Sequence, residues 1–327
     1  MKEHKPDQYT VLGAVALANR APSVHNSQPW RWLLGEESVH LMADRGRWPA
    51  PDLLLSCGAA LHHLRVAMAA FGWRSIVHHL PNPGDPDHLA SVEFAPKAAP
   101  STEVVTLAGA ISRRRTDRRR FTDRPVAAEH VDLVVERAER AGALLVPVTD
   151  QVPRKRLTHA IDEVIHARTD RTEELAGWPG VRGTSASASG RAHGDTDTMR
   201  VSRTGTLAGP APCPDGGELL ILASREDDLV STLRAGEAAS AALLTATSLG
   251  LATCPLSLAL ELADLRTEFG DGVLGGAAHP QLILRTGWAP ATALPTPRSP
   301  RRATSDTVGY LPGTHRPAHI PPPREMP

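Results

Sequence analysis

Two glycine- and alanine-rich stretches of the chain, 56–73 and 234–251, repeat each other at a constant offset. Three small residues of the first stretch align with three of the second: Gly58 with Gly236, Ala60 with Ala238, and Gly72 with Gly250. Each stretch has the pattern of a helix that ends at a glycine suited to the C-cap. Because small side chains let a second helix approach closely, we expect the two helices to pack against each other. The alternative is that any two alanine-rich helices align at a few positions.

The order of elements around the two stretches favours a real repeat. Each predicted helix follows a strand-and-loop region, and each precedes a short apolar stretch, Arg74-Ser-Ile-Val in one case and Ala252-Thr-Cys-Pro-Leu-Ser in the other. This shared order favours a real repeat over a chance alignment of two alanine-rich helices.

Composition narrows the class of protein. The chain has 327 residues, 36 basic and 36 acidic side chains and 41% hydrophobic residues, which permits one large or two small domains. This charge balance does not suggest nucleic acid or acidic lipid as a partner. The three cysteines lie far apart without metal-like spacing, which favours a reducing cytoplasm over a disulfide framework.

The N-terminal apolar run needs a separate interpretation. Val11 to Ala18 follows Lys2 and Lys5, as in a signal peptide, but the run is short and Asp7 interrupts the basic approach. We interpret it as part of a helix over Tyr9 to Asn19, and we expect no apolar stretch of membrane-spanning length elsewhere.

The decapeptide Ala21 to Trp30 reads Ala-Pro-Ser-Val-His-Asn-Ser-Gln-Pro-Trp. It combines turn formers with uncharged side chains that both donate and accept hydrogen bonds, and it lies between the predicted first helix and two predicted strands. Such a loop is suited to a flat polar heterocycle. The alternative from this segment alone is a capped loop with Trp30 in the core.

A run of arginines follows later in the chain. Residues 111–121 read Ile-Ser-Arg-Arg-Arg-Thr-Asp-Arg-Arg-Arg-Phe. Guanidinium groups stay charged and form paired hydrogen bonds to phosphate oxygens, so the run is a candidate phosphate site. Its alternative is a solvated basic face.

With these two motifs the chain resembles the FMN-dependent nitroreductase family, in particular its Acg-like branch. Members present a similar Ser-x-x-Asn-x-Gln-Pro-Trp loop to the flavin ring. The resemblance implies that Pro22, Ser23, Asn26 and Gln28 hold the ring of FMN here.

The arginine run resembles the family's Arg-Arg-Ser-x-Arg-x-Phe segment, which binds the FMN phosphate. By resemblance, this role falls to the following residues: Arg114, Arg115, Thr116 and Arg118. The spacing to Phe121 is one residue longer than in the family, so the register is open by one. Arg298 resembles a second basic contribution near the C-terminus, where Thr296 stands in place of a frequent lysine; its alternative is a solvated arginine in a proline-rich tail.

The third implied contact follows the second central helix. Pro255, Leu256 and Ser257 resemble the segment that runs beside the reactive edge of the flavin ring in the family. Where the family often has a glutamate and a glycine after the proline, this chain has Ser257 and Leu258. This departure argues against ordinary nitroreductase turnover.

The resemblance implies an α+β fold of nitroreductase type, with a mixed sheet flanked by helices and a pseudo-dimeric arrangement within one chain. Family members are usually homodimers, so the chain would be a monomer with an internal pseudo-dimer or a weak homodimer. The boundaries we expect are as follows: a first half over 1–100, a second half over 101–294 with a candidate lid at 169–217, and a proline-rich tail over 295–327. Simple disorder is the alternative to the lid.

Three functions are consistent with the sequence. The first is an oxidoreductase in which NAD(P)H reduces bound FMN and a small acceptor, such as a nitroaromatic, a quinone or a biosynthetic intermediate, takes the electrons. The second is a protein that holds FMN under a lid that excludes NAD(P)H, with little or no turnover. The third is a cofactor-free scaffold.

Two other patterns are set aside. The stretch Gly270 to Gly275 spells G-x-G-x-x-G, but a predicted helix precedes it and a predicted strand follows, the opposite of a dinucleotide loop. The adjacent pairs His62-His63 and His78-His79 point their members in different directions, which disfavours shared metal ligation. We expect no metal site and no catalytic side chain.

Overall fold

The computed structural model describes residues 5–48, 52–96, 99–169, 216–257, 260, 263–291 and 296–314. Of the candidate lid at 169–217, residues 170–215 lie outside the described residues, as does the part of the tail after residue 314.

The first part of the chain builds one five-stranded sheet. Its elements are α1 (Gln8–Ala18), β1 (Trp30–Leu34), β2 (Ser38–Ala43), α2 (Asp52–Ala70), β3 (Trp73–His79) and β4 (His88–Pro96). The strand order is β3-β4-β2-β1, and a last strand, β9 (Val308–Tyr310), pairs with β1. All pairs are antiparallel except β1 with β9, which is parallel, so the sheet is mixed.

The second part builds a four-stranded sheet. Its elements are α3 (Thr102–Arg113), α4 (Ala128–Arg140), β5 (Leu144–Pro147), α5 (Gln151–Thr169), β6 (Glu218–Ser224), α6 (Leu229–Ser248), β7 (Ala252–Leu256), α7 (Ala263–Leu274) and β8 (His279–Gly287). The strand order is β5-β6-β8-β7, and every described pair is antiparallel. The expected mixed sheet is the five-stranded one. The four-stranded sheet differs because β8 lies between β6 and β7 and runs opposite to both.

Local signals in the sequence set the ends of the helices. The side chain of Asp7 accepts from the backbone N–H of Thr10 at 2.9 Å and caps α1, and Asp228 caps α6 in the same way. Gly72 and Gly250, each two residues after the last residue of a central helix, have φ values of 87° and 81°. This left-handed conformation favours glycine, so the expected glycine ends of both helices are confirmed.

Helices α2 and α6 touch through their backbones at the two glycines that align in sequence. A Cβ atom on Gly58 would lie 2.0 Å from the carbonyl oxygen of Leu233, and one on Gly236 would lie 2.2 Å from that of Leu55. Real side chains do not tolerate such distances, so both positions require glycine. The expected packing of the two central helices is confirmed, whereas the duplication behind it stays a prediction.

A buried ion-pair group also joins these elements. The carboxylate of Glu237 on α6 is 1% exposed, pairs with Arg65 of α2 and accepts from Nε2 of His79 at 2.7 Å. Burial alone would raise the pKa of Glu237, but the hydrogen bond from His79 and the charge of Arg65 outweigh it and lower that pKa. The carboxylate therefore stays ionised between the two parts of the chain.

Asn19 ties the C-terminal segment to the first sheet. Its side-chain oxygen accepts from the indole nitrogens of Trp30 and Trp32 at 3.0 and 3.1 Å, and its amide nitrogen donates to Thr307 at 2.8 Å. Thr307 belongs to the short helix α8 (Thr304–Thr307) that precedes β9. Because Asn19 is 2% exposed, all of these polar groups find their partners away from water.

Among the described helices, α2 is long and apolar enough to cross a membrane, contrary to the expectation that no further stretch reaches that length. Most of α2 is buried inside the protein, against α6, α1 and the first sheet. Its apolar residues serve the core, which explains why the helix is apolar on nearly every face.

We expect Gly236→Ala to lower the free energy of unfolding by about 1–3 kcal/mol or more, since the added Cβ forces two helix backbones apart. The matched control is Gly109→Ala in α3, where nothing lies within 4 Å of an added Cβ. There, replacing glycine within a helix is expected to stabilise by about 0.5–1 kcal/mol. Urea unfolding of both variants measures the difference. Equal stabilities of the two variants would contradict a backbone contact between α2 and α6.

Candidate functional site

The loop between α1 and β1 has a strained backbone. His25, Asn26 and Gln28 have φ values of 49°, 57° and 49°, a left-handed conformation that residues other than glycine seldom adopt. Ser23 Oγ accepts from the backbone N–H of Gln28 at 3.0 Å, and Ser56 Oγ of α2 accepts from another backbone N–H of the loop at 3.3 Å. Strain of this kind persists where the surroundings fix it, and it is concentrated at functional sites. We call residues 22–28 the amide loop.

The C-terminal segment 296–302, here called the strap, crosses the amide loop. The amide nitrogen of Asn26 donates to the carbonyl of Pro300 at 2.9 Å, and its oxygen accepts from Arg301 at 2.8 Å. Gln28 accepts from the backbone N–H of Arg302 at 2.8 Å. The amide groups of Asn26 and Gln28 therefore bind the chain itself in this structure.

Five arginines from three separate segments come together beside the amide loop. They are Arg20 after α1, Arg114 and Arg115 after α3, and Arg298 and Arg301 of the strap, and we call them the arginine cluster. Burial, followed by the charges of Arg301, Arg115 and Arg20, lowers the pKa of Arg114 to about 9. Burial and the charges of Arg20 and Arg115 lower the pKa of Arg301 to about 10. Each guanidinium thus makes the charged form of its neighbours less favourable.

The arginine cluster has hydrogen-bond donors to spare. The Nε atoms of Arg20, Arg114 and Arg301 are buried, and none of them has a hydrogen-bond partner among the described residues. Within the part of the chain that the structure describes, none of the five arginines forms an ion pair with a carboxylate. Buried positive charges without a counter-ion are costly, and guanidinium donors match phosphate oxygens in geometry and charge. The residues present therefore fit a phosphate group.

The remaining phosphate-site candidates lie around the cluster rather than in it. Thr116 pairs with Thr253 at the start of β7 through an isolated bridge, so this backbone runs beside β7. Arg118 is exposed to solvent. Arg119 instead turns inward, where it pairs with Asp117 and donates to Thr296 at 3.2 Å.

The ring-side candidates differ in how closely the structure ties them to the cluster. Pro22 and Ser23 are half-buried in the amide loop. Pro255, Leu256 and Ser257 are half-buried at the end of β7, shortly after Thr253, which hydrogen-bonds the backbone of the arginine run. No described hydrogen bond joins residues 255–257 to the amide loop. The structure thus brings Arg114, Arg115 and Arg298 together and leaves Arg118 outside.

Two members of the cluster were missed at the sequence level. Arg20 directly precedes the decapeptide, and Arg301 follows Arg298 in the proline-rich tail. Both could have been found from the sequence because each is a charged residue close to a segment that we identified as part of the candidate site. The sequence alone did not show which of the 36 basic residues face each other.

Comparison with known proteins shows the family of this chain. No protein-family model matches the chain. The Mycobacterium tuberculosis protein named Putative NAD(P)H nitroreductase Rv3131 is 40% identical over 330 residues, which cover 95% of this chain and 94% of that protein. The protein of the same organism named Putative NAD(P)H nitroreductase acg is 36% identical over 325 residues, covering 94% and 97%. The chain therefore belongs to the nitroreductase family, and within it to the branch that contains Acg.

The chain is also similar to solved structures of lower identity. A nitroreductase with bound FMN from Desulfitobacterium hafniense is 17% identical, with a TM-score of 0.41, over 63% of this chain and 98% of that one. The FMN- and NADPH-dependent nitroreductase NfnB from a Sphigopyxis strain is 22% identical, with a TM-score of 0.40 and the same coverage.

We expect inorganic phosphate to raise the thermal unfolding midpoint at constant ionic strength, because an anion offsets the repulsion in the arginine cluster. Arg114→Met should abolish this increment and, without phosphate, stabilise the chain by about 1 kcal/mol or more, since an uncompensated buried charge is removed. Arg118→Met, from the exposed part of the same run, is the control and should respond to phosphate as the wild type does. An unchanged phosphate increment in Arg114→Met would refute the phosphate assignment.

Proposed function

We propose that this chain is an FMN-dependent oxidoreductase of the nitroreductase type, with NAD(P)H as reductant and a small molecule as electron acceptor. The observation that carries the proposal is the arginine cluster, a set of phosphate-matching donors beside the amide loop with Arg114 buried at 4% exposure. Membership of a family whose mycobacterial relatives are named as NAD(P)H nitroreductases supports it. Nitroaromatics, quinones and biosynthetic intermediates are the acceptor classes that we propose.

In this proposal the phosphate of FMN is held by the arginine cluster. Its ring lies against the amide loop, with residues 255–257 at the other side of the site. Bound FMN supplies the hydride chemistry, so no side chain is required as a nucleophile. The protein positions the flavin: the strap fixes the side chains of Asn26 and Gln28, and the guanidinium groups neutralise the phosphate charge.

We further propose that the chain is an internal duplication with one complete site. The amide loop comes from the first half, 1–100, and the arginine run comes from the second half, 101–294. The contact of Gly58 with Gly236 at equivalent positions of the two central helices supports this proposal. A monomer would then hold between its halves what a homodimer holds between its subunits.

A second candidate function is the binding of FMN without turnover. Two observations favour it. The strap lies across the amide loop and occupies its amide groups, and Ser257 and Leu258 replace the glutamate and glycine that are frequent in the family. Both features would hinder the approach of NAD(P)H to the reactive edge of the ring.

We expect the purified chain to bind FMN and quench its fluorescence. Arg114→Met and Arg20→Met should raise the Kd for FMN about 10- to 100-fold, since each removes charge-assisted hydrogen bonds worth about 1.5–3 kcal/mol. Arg118→Met is again the matched control, with a change below about 3-fold, because exposed charges contribute little. Wild-type protein that binds no FMN would overturn the proposed function.

Anaerobic mixing of the FMN-loaded protein with NADPH or NADH distinguishes turnover from storage of the flavin. Rapid bleaching of the flavin absorbance, followed by recovery when a quinone or nitroaromatic is added, is the expected result for the oxidoreductase. A yellow solution that persists would contradict turnover and support the second candidate. Arg302→Ala removes the strap's side-chain hydrogen bonds to the carbonyls of Gln28 and Trp30 but leaves the arginine cluster intact, so faster bleaching than in the wild type is expected if the strap limits the reduction rate.

A further inference from the structure

An open cavity of about 240 Å³ lies between α2, β3 and α3. Each element contributes two of the residues that decide its chemistry: Arg65 and Val66 from α2, Trp73 and Arg74 from β3, and Val104 and Leu107 from α3. The cavity is smaller than the roughly 300–1,000 Å³ of pockets for drug-sized ligands, so its space suits a molecule with a single ring.

This cavity is separate from the arginine cluster. Val104 lies near the start of α3 and Arg114 follows its last residue, so the two are about 15 Å apart along the helix axis. Among the described residues, no member of the arginine cluster or the amide loop lines the cavity. A ligand bound here would therefore not compete with the phosphate of FMN.

The apolar part of the cavity wall comes from three half-buried side chains. Trp73 packs against the core of the first sheet, and Leu107 packs against the small core that contains Val66 and Ile111, so both are held in place. Val104, the third, lies one turn before Leu107 and lines the cavity with it. An aromatic ligand gains from contact with an indole beyond the burial of apolar area, so this wall favours a flat apolar body.

Arg65 offers an oriented guanidinium group at the cavity. One of its nitrogens pairs with Glu237 of α6, whose side chain is 1% exposed, whereas the side chain of Arg65 is 39% exposed. A guanidinium has five N–H donors in a fixed fork, so the pair with Glu237 leaves donors available on the exposed side. Arg65 thus adds donors to the cavity without net charge, because Glu237 balances it.

Arg74 supplies positive charge that is not balanced in this way. It is exposed, and within the described part of the chain it forms no ion pair with a carboxylate. Of the acidic residues on neighbouring elements, Glu103 pairs with Arg137 at 2.5 Å, and Glu93 lies 3.9 Å from Nε2 of His78. None of the described residues that line the cavity is acidic. The cavity therefore has positive charge available for one carboxylate.

We propose that this cavity is a second ligand site, which binds a small aromatic monocarboxylate. The ring of the ligand lies against Trp73, Val104 and Leu107, and its carboxylate accepts from Arg65 and Arg74. An inorganic anion would leave the apolar wall unused, and a neutral aromatic would leave Arg74 without a counter-charge. The site is additional to the FMN site and does not rest on the proposed function.

The probe is benzoate, titrated into the 15N-labelled chain with FMN bound. The indole N–H signal of Trp73, assigned by its loss in Trp73→Phe, should shift with a Kd of about 1 mM or tighter, within the efficiencies known for ligands of one ring. Benzamide has the same shape without the charge and should bind about 5-fold or more weakly, since hydrogen bonds to charged groups are the stronger ones. A Trp73 signal that benzoate leaves unchanged, or equal affinities of benzoate and benzamide, would overturn the inference.

Variants of the cavity show whether benzoate binds there. Leu107→Trp fills the cavity and should abolish measurable binding, and Arg74→Gln should raise the Kd for benzoate about 2- to 5-fold, the effect of an exposed ion pair. The matched control is Arg31→Gln, which changes an exposed arginine of β1 that does not line the cavity and should leave that Kd unchanged. If Leu107→Trp and Arg74→Gln bind benzoate as the wild type does, the ligand binds elsewhere and the inference is wrong.

The inference and the proposed function can fail separately. All of these variants should bind FMN with the affinity of the wild type, because the cavity lies outside the arginine cluster. A chain that binds no FMN would overturn the proposed function, and the same benzoate titration of that chain would still decide the inference.

Discussion

The contact between the backbones of α2 and α6 determines how the rest of the molecule is arranged. Because Gly58 and Gly236 lack side chains, the two helices cross at a distance that no other residue permits. This crossing places Ser240 of α6 within reach of His62 and His63 of α2, and it places Glu237 within reach of Arg65. The polar contacts between the two parts of the chain thus depend on glycine at both positions, because a Cβ atom at either one would hold the helices apart.

The candidate site stores unfavourable energy in two forms. The amide loop holds three residues in left-handed conformations, and the arginine cluster places positive charges close together around the buried Arg114. Neither arrangement stabilises the chain by itself, since buried like charges and strained backbones both raise the free energy of the folded state. A polyanionic ligand compensates the charges, so the energy stored at this site is available for binding. The strap supplies Arg301, which belongs to the cluster and also holds Asn26.

Much of the fold followed from local patterns. The glycines after the central helices act through nearby backbone groups, and the structure contains these helix ends as expected. The family motifs indicated the amide loop and the arginine run for the same reason, because each is a continuous segment. Pairing between distant segments was less predictable. Arg119 rather than Arg118 turns inward because Asp117 binds it, and that choice depends on the fold around β7.

The sequence by itself determined the α+β class, the close packing of two small-residue helices and the segments from which a flavin site could be built. Side-chain size, periodicity and turn chemistry act over a few residues, so a linear pattern is enough to read them. The tertiary structure alone decided that Arg20, Arg114 and Arg301 meet and that the strap binds the side-chain amides of the amide loop. Charge and hydrogen bonding act through space between segments far apart in the chain, and only the folded chain sets those distances.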